Sequence, residues 1–127
     1  MLTPFNQNGS IDYDLLRQLT EFYIDSGSAG LFVNCLSSEM YHLSPEERLS
    51  LTRSVVEIAD GQIPVVSTGT FGGDIDTQAE YMKKVCSTCV SAVIVFTSNI
   101  TRRAESDDTV LSRLQSLAQK VEDIPLG

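Results

Sequence analysis

Residues 35 to 39 read Cys-Leu-Ser-Ser-Glu, two adjacent hydroxyls followed by a carboxylate. Hydroxyls together with free backbone N–H groups are the donors a small carboxylate needs, and a charged acceptor makes each such bond stronger. Ser37 and Ser38 are therefore candidates for holding an acid. Glu39 could act as a general base. Other reactive residue types are less well placed. Cys86 and Cys89 form a Cys-x-x-Cys pair, yet a redox pair draws its low pKa from a helix N-terminus, and this one closes a helical pattern. A zinc site needs about four ligands, and only His42 and Cys35 remain, so no metal is expected. Lys83, Lys84 and Lys120 fall on helical patterns, where an ammonium is solvated rather than neutral and nucleophilic. His42 precedes a helix with no metal-ligand partners near it and reads as a surface or interface residue.

Composition narrows the classes further. The 127 residues are 42% hydrophobic and 20% charged, with a net charge of −8, the profile of a globular domain. The basic residues cluster no further than Lys83-Lys84 and Arg102-Arg103, which argues against nucleic acid. Apolar runs of about five residues are far too short for a membrane span, and no basic leader precedes them. An odd count of three cysteines fits reduced thiols. A cytoplasmic protein with no membrane or nucleic-acid partner is expected.

The elements that must position these residues alternate. Leu15, Leu16, Leu19, Phe22 and Tyr23 make an amphipathic helical stripe over 13–26, with Asp12 as cap and Gly27 at its end. Gly30 to Val33 is a short apolar strand, read as buried on both faces. Ser44-Pro45-Glu46-Glu47 is a capped helix start, with a capping box and proline in the first turn, and that helix runs to about Ala59. Residues 63–68 read as a strand, 74–86 as a helix with Ala79, Met82 and Val85 inward, and 91–96 as a strand. A last helix over 107–121 carries Val110, Leu111, Leu114, Leu117, Ala118 and Val121. Met1-Leu2 look like the tail of a first strand, and Ile124 to Gly127 like the head of a fifth.

Strand starts recur at roughly 30-residue intervals, the length of a βα unit, which predicts a parallel α/β sheet with right-handed crossovers. An open doubly wound sheet would carry a Gly-rich phosphate turn after its first strand. Gly69-Thr70-Phe71-Gly72-Gly73-Asp74 comes nearest and reads instead as a tight turn capped by Asp74. A (β/α)8 TIM barrel needs about 250 residues, so residues 1–127 are expected to form a single, incomplete domain. It would be the first half of a barrel, from the end of strand one to the start of strand five. Sites in such barrels lie at the carboxyl ends of the strands. That places the 35–39 loop after the second strand, Thr3 and Pro4 after the first, and Thr97 after the fourth at one end. Arg102 and Arg103 share that end and could meet a second anion, although a solvated loop is the expected reading.

In order and spacing, "LTPF" (Leu2–Phe5), "IDYDLL" (Ile11–Leu16), "GSAGLFV" (Gly27–Val33), "SSE" (Ser37–Glu39), "LSPEER" (Leu43–Arg48), "IPVVSTGT" (Ile63–Thr70) and "SAVIVF" (Ser91–Phe96) resemble the dihydrodipicolinate synthase/N-acetylneuraminate lyase family. The resemblance implies a (β/α)8 barrel, usually a homo-oligomer, that binds pyruvate or another 2-oxo acid as a Schiff base on lysine, with no other cofactor. It puts the family's Gly-Thr/Ser-Thr-Gly-Glu carboxylate-gripping signature on Cys35 to Glu39. Ser37 then matches the second hydroxyl and Ser38 a glycine, while Leu36 replaces a hydroxyl of the family's proton relay. Thr97-Ser98-Asn99 stands where many synthases carry Pro-Tyr-Tyr.

The implied substrate-binding residues are Ser37, Ser38, Thr3 and Pro4, supported by Leu36, Thr97 and Glu39, the last in a structural role, bonded to backbone or to the neighbouring hydroxyls. No catalytic residue is expected in this chain, because the family's tyrosine and Schiff-base lysine would lie beyond Gly127. The function expected is the carboxylate-binding part of a 2-oxo acid aldolase or lyase. The alternative is a non-catalytic half-barrel or assembly module. A third possibility, an unrelated binding module, would require an open sheet. Tyr41, beside the signature, could pack across a subunit interface.

Overall fold

The computed structural model describes residues 1–102 and 104–127. Three parallel strands, β1 (Leu31–Val33), β2 (Val65–Thr68) and β3 (Ala92–Ile94), lie side by side in chain order. Helices α1 (Tyr13–Asp25), α2 (Pro45–Ala59), α3 (Ile75–Cys86) and α5 (Asp107–Lys120) alternate with them, and a one-turn helix, α4 (Thr97–Ile100), follows β3. Parallel neighbours in sequential order, each joined through a helix, are successive βα units of a barrel wall.

Local chemistry sets the helix starts. Ser44 and Glu47 form the expected reciprocal capping box on α2, with Pro45 in its first turn. Asp12 caps α1 at 2.9 Å and Asp74 caps α3 at 2.7 Å, each satisfying one orphan N–H. The predicted inward residues of α3, Ala79, Met82 and Val85, are buried as expected.

In register, Val33, Ser67 and Val93 form one row, fully buried beneath the helices. Phe32, Val66 and Ala92 form the row on the other face and are only half-buried. The strands therefore alternate, and the expectation of burial on both faces is corrected. Their second face is the one a closed barrel turns inward, and nothing in these residues covers it.

Both sheet edges continue. The Val93 N–H donates to the Pro125 carbonyl and the Gly127 N–H to the Val93 carbonyl, with Leu126 paired in parallel to Val93. On the opposite edge, the Met1 amino group donates to the Phe32 carbonyl at 2.7 Å.

Two helical stripes differ from expectation for the same reason. On α1, Leu16 is buried but Leu15 and Phe22 are exposed, and Leu117 on α5 and Val121 at its C-cap are buried while Leu111 is exposed. A period-3.6 pattern marks an apolar face but does not say how much of it has a neighbour. Leu15, Leu19 and Phe22 instead border, with Leu2, Thr3 and Pro4, an uncovered groove of about 520 Å³.

Candidate active-site loop

β1 ends at Val33, and the backbone turns sharply at Asn34, whose φ is +52°. Cys35 is extended, and Leu36–Ser38 form a single 3-10 turn closed by Glu39, also left-handed at φ +55°. The loop is stitched internally: the Ser38 backbone N–H (3.0 Å) and its hydroxyl (2.6 Å) both donate to the Cys35 carbonyl. Ser38 is buried, and both its N–H and its hydroxyl hydrogen are committed within the loop. Ser37 is exposed, with its hydroxyl 3.1 Å from the Cys35 sulfur. It stands at the rim of a cleft of about 410 Å³ that runs from Met1 and Leu2 along the open edge of β1 down to Gly30 and Ser28 at the strand's amino end.

The loop is held from below and behind. Thr3 donates its hydroxyl to the Ser38 carbonyl at 2.8 Å and is itself buried. Arg48 on α2 donates through Nε to the Met40 carbonyl at 2.7 Å, while its guanidinium carbon lies 3.8 Å above the Phe71 ring. A guanidinium over an aromatic face is attracted by the ring quadrupole. Burial opposes ionisation of the Cys35 thiol, but hydrogen bonding from Ser37 and the positive Met1 amino group together bring it below the ordinary thiol range.

The other expected site residues fall out differently. Pro4 lies at the same end, but it lines the α1 groove, and its carbonyl accepts the Asp12 N–H at 3.0 Å. Leu36 is exposed and apolar. The expected bonding of Glu39 to backbone or hydroxyls is absent: its side chain is exposed, with no hydrogen-bond partner among the described residues. Thr97 opens α4 on the exposed side and contributes its carbonyl to the Thr101 hydroxyl. Tyr41 reaches Asn99 within the same chain, donating to its Oδ1 at 2.9 Å. Arg102 is exposed, its backbone N–H on the Glu105 carboxylate, and Arg103 lies outside the described residues.

All three lysines are on exposed helix surfaces. Lys83 pairs with Glu80, and Lys120 pairs with Asp76, whose hydrogen bond and charge hold that ammonium above its ordinary pKa, away from a neutral nucleophile. Among the described residues no cluster of three His, Cys, Asp or Glu could hold a metal, and no helix is long and apolar enough to cross a membrane.

Several polar residues at this end had no signal in the local pattern. Thr70 ties β2 to the segment after β3: its hydroxyl accepts the Phe96 N–H at 2.9 Å, and its carbonyl accepts the Asn99 amide at 2.6 Å. Arg48, Gln78 and Tyr81 line a cleft of about 240 Å³. There the Tyr81 hydroxyl is buried without a hydrogen-bond partner, and burial pushes its pKa up to about 12 despite the nearby Arg48 charge.

The profile of the Dihydrodipicolinate synthetase family matches residues 1–103. The 4-hydroxy-tetrahydrodipicolinate synthase of Oceanobacillus iheyensis is 30% identical over 122 residues, which are 96% of this chain and 40% of that protein. The dihydrodipicolinate synthase of Bacillus anthracis superimposes with a TM-score of 0.86 at 25% identity, over 99% of this chain and 42% of that one. The chloride-inhibited dihydrodipicolinate synthase of Acinetobacter baumannii, solved with pyruvate, gives a TM-score of 0.89 at 20% identity over the same shares. The chain thus spans about two fifths of the length of these relatives. It belongs to the dihydrodipicolinate synthetase family and forms an amino-terminal part of that family's TIM barrel.

Proposed function

We propose that this chain supplies the carboxylate-holding loop of an aldolase or lyase that acts on pyruvate or a similar 2-oxo acid. The carrying observation is the 3-10 turn at the carboxyl end of a parallel strand, with the Ser37 hydroxyl exposed on it and the loop fixed beneath by Thr3. A 2-oxo acid carboxylate would replace the Cys35 sulfur against Ser37, forming a charge-assisted bond. Ser38 would act through the loop's shape, since its donors are committed to the Cys35 carbonyl. Pro4, Leu36, Glu39 and Thr97 would frame the site rather than grip the acid.

The covalent step needs a neutral lysine amine that attacks the ketone carbon and loses water to give the imine. The three exposed helix lysines do not suit it, so the nucleophile and its tyrosine partner would come from sequence outside these 127 residues. Homo-oligomeric assembly and a cytoplasmic location belong to the same reading. A second reading, a half-barrel that serves only assembly, is favoured by Leu36, which puts an apolar side chain where the resemblance implies a relay hydroxyl.

Pyruvate affinity of Ser37→Ala decides between them. Loss of a charge-assisted hydrogen bond of roughly 1.5–3 kcal/mol weakens binding about 10- to 150-fold. Equal affinity of the variant and the parent chain would remove the carboxylate role.

A further inference from the structure

We propose that Asn34 is the positioning residue of the acid-holding loop, the pivot that aims Ser37 toward its ligand. This rests on the reading of residues 35–39 as that loop. Asn34 is completely buried and left-handed, a conformation that asparagine tolerates better than most side chains. Its amide nitrogen lies 2.9 Å from the Thr52 hydroxyl, 3.1 Å from the Arg48 carbonyl and 3.2 Å from the Ser67 hydroxyl. Its own carbonyl accepts the Thr68 hydroxyl at 2.6 Å. The two amide hydrogens are shared among the Thr52, Arg48 and Ser67 acceptors, the amide oxygen has no partner among the described residues, and the residue is thus fastened between α2 and β2 immediately before the chain leaves the sheet.

The consequence for the site follows from the loop's own bonding. Ser38 closes back on the Cys35 carbonyl through both its N–H and its hydroxyl, so residues 35–38 move as a unit. The direction of that unit is then set where it joins the sheet, at Asn34, and where it is pinned, at the Ser38 and Met40 carbonyls by Thr3 and Arg48. Only the amide nitrogen can serve the Arg48 carbonyl, because an aspartate oxygen there would face another acceptor. Asparagine at this position therefore combines a backbone requirement with a donor requirement. Glycine meets the first and not the second.

The test measures pyruvate affinity of the folded 127-residue chain by amide NMR titration, with thermal stability recorded separately. Asn34→Gly keeps the turn and the Thr68 bond to the backbone carbonyl, and loses the side-chain anchors to Arg48, Thr52 and Ser67. It should shift the ligand-free amide resonances of Leu36 and Ser37 and weaken pyruvate binding roughly tenfold, the lower end of what removing an orienting group costs. Val55→Ala, in the core away from the loop, controls for lost stability and should leave the affinity of the folded protein unchanged. If Asn34→Gly does not fold, Thr68→Val removes the clamp on the Asn34 carbonyl and must show the same loss. Affinity within about twofold of the parent in the folded variant overturns the proposal. If Ser37→Ala weakens binding while Asn34→Gly does not, only the pivot is wrong. If Ser37→Ala has no effect, the loop reading falls and the pivot with it.

Discussion

Thr3→Val isolates one bond that holds the loop. The two side chains have nearly the same shape, so the change removes the hydroxyl that meets the Ser38 carbonyl at 2.8 Å and little else. Thr3 and Ser38 are both buried, and the carbonyl is left without its partner. An orphaned buried acceptor costs about 1–3 kcal/mol. Unfolding entropy is about 2.1 cal/mol/K per residue, so 127 residues give about 0.27 kcal/mol/K. The midpoint of thermal unfolding should then fall by roughly 4–11 °C, read by calorimetry or circular dichroism. Amide exchange should also quicken at residues 36–39 more than in α3. A midpoint within about 1 °C of the parent, with exchange unchanged in the loop, would refute the claim that Thr3 fastens it.

Gly69→Ala should destabilise the chain by about 1–3 kcal/mol, the cost of overpacking, because a Cβ there would overlap the Val93 side chain and lie 2.8 Å from Met82 Cγ. A denaturant melt with an unchanged midpoint would contradict that. Alkaline titration should show one phenol, Tyr81, ionising near pH 12. The unfolded chain releases that proton first and binds fewer protons than the folded one, so stability should fall as pH rises from the ordinary tyrosine range through 12. Tyr81→Phe should flatten this fall, and an equally steep fall in the variant would contradict the assignment.

What could be read from the sequence was what short-range chemistry decides. Ser44 with Glu47, and Asp12 and Asp74 as caps, act within one helical turn, so their spacing suffices to place the helix starts. The roughly 30-residue repeat was enough to predict parallel βα units. Less legible was which apolar surface finds a neighbour. Leu15 and Phe22 carry the right period but border an open groove, and Phe32 and Val66 belong to a face these residues leave uncovered. The polar architecture of the site was hidden for another reason. Asn34 meets partners 14 to 34 residues away, and Thr70 meets Phe96 and Asn99 across the sheet. No local pattern announces such pairs, and they form only when the strands align. Glu39 shows the converse: its place in the signature implied a bonded carboxylate, but the residue closes the loop at the surface with its side chain exposed.

In the proposed reading Ser37, presented by the 35–39 loop, holds the carboxylate of a 2-oxo acid. A two-dimensional amide NMR titration of the chain with pyruvate, with uncharged pyruvamide as control, tests it most directly. Saturable shifts concentrated at Leu36, Ser37, Ser38 and Glu39 with pyruvate, and none there with pyruvamide, are expected. Shifts confined to other residues, or an equal response to both compounds, would contradict it.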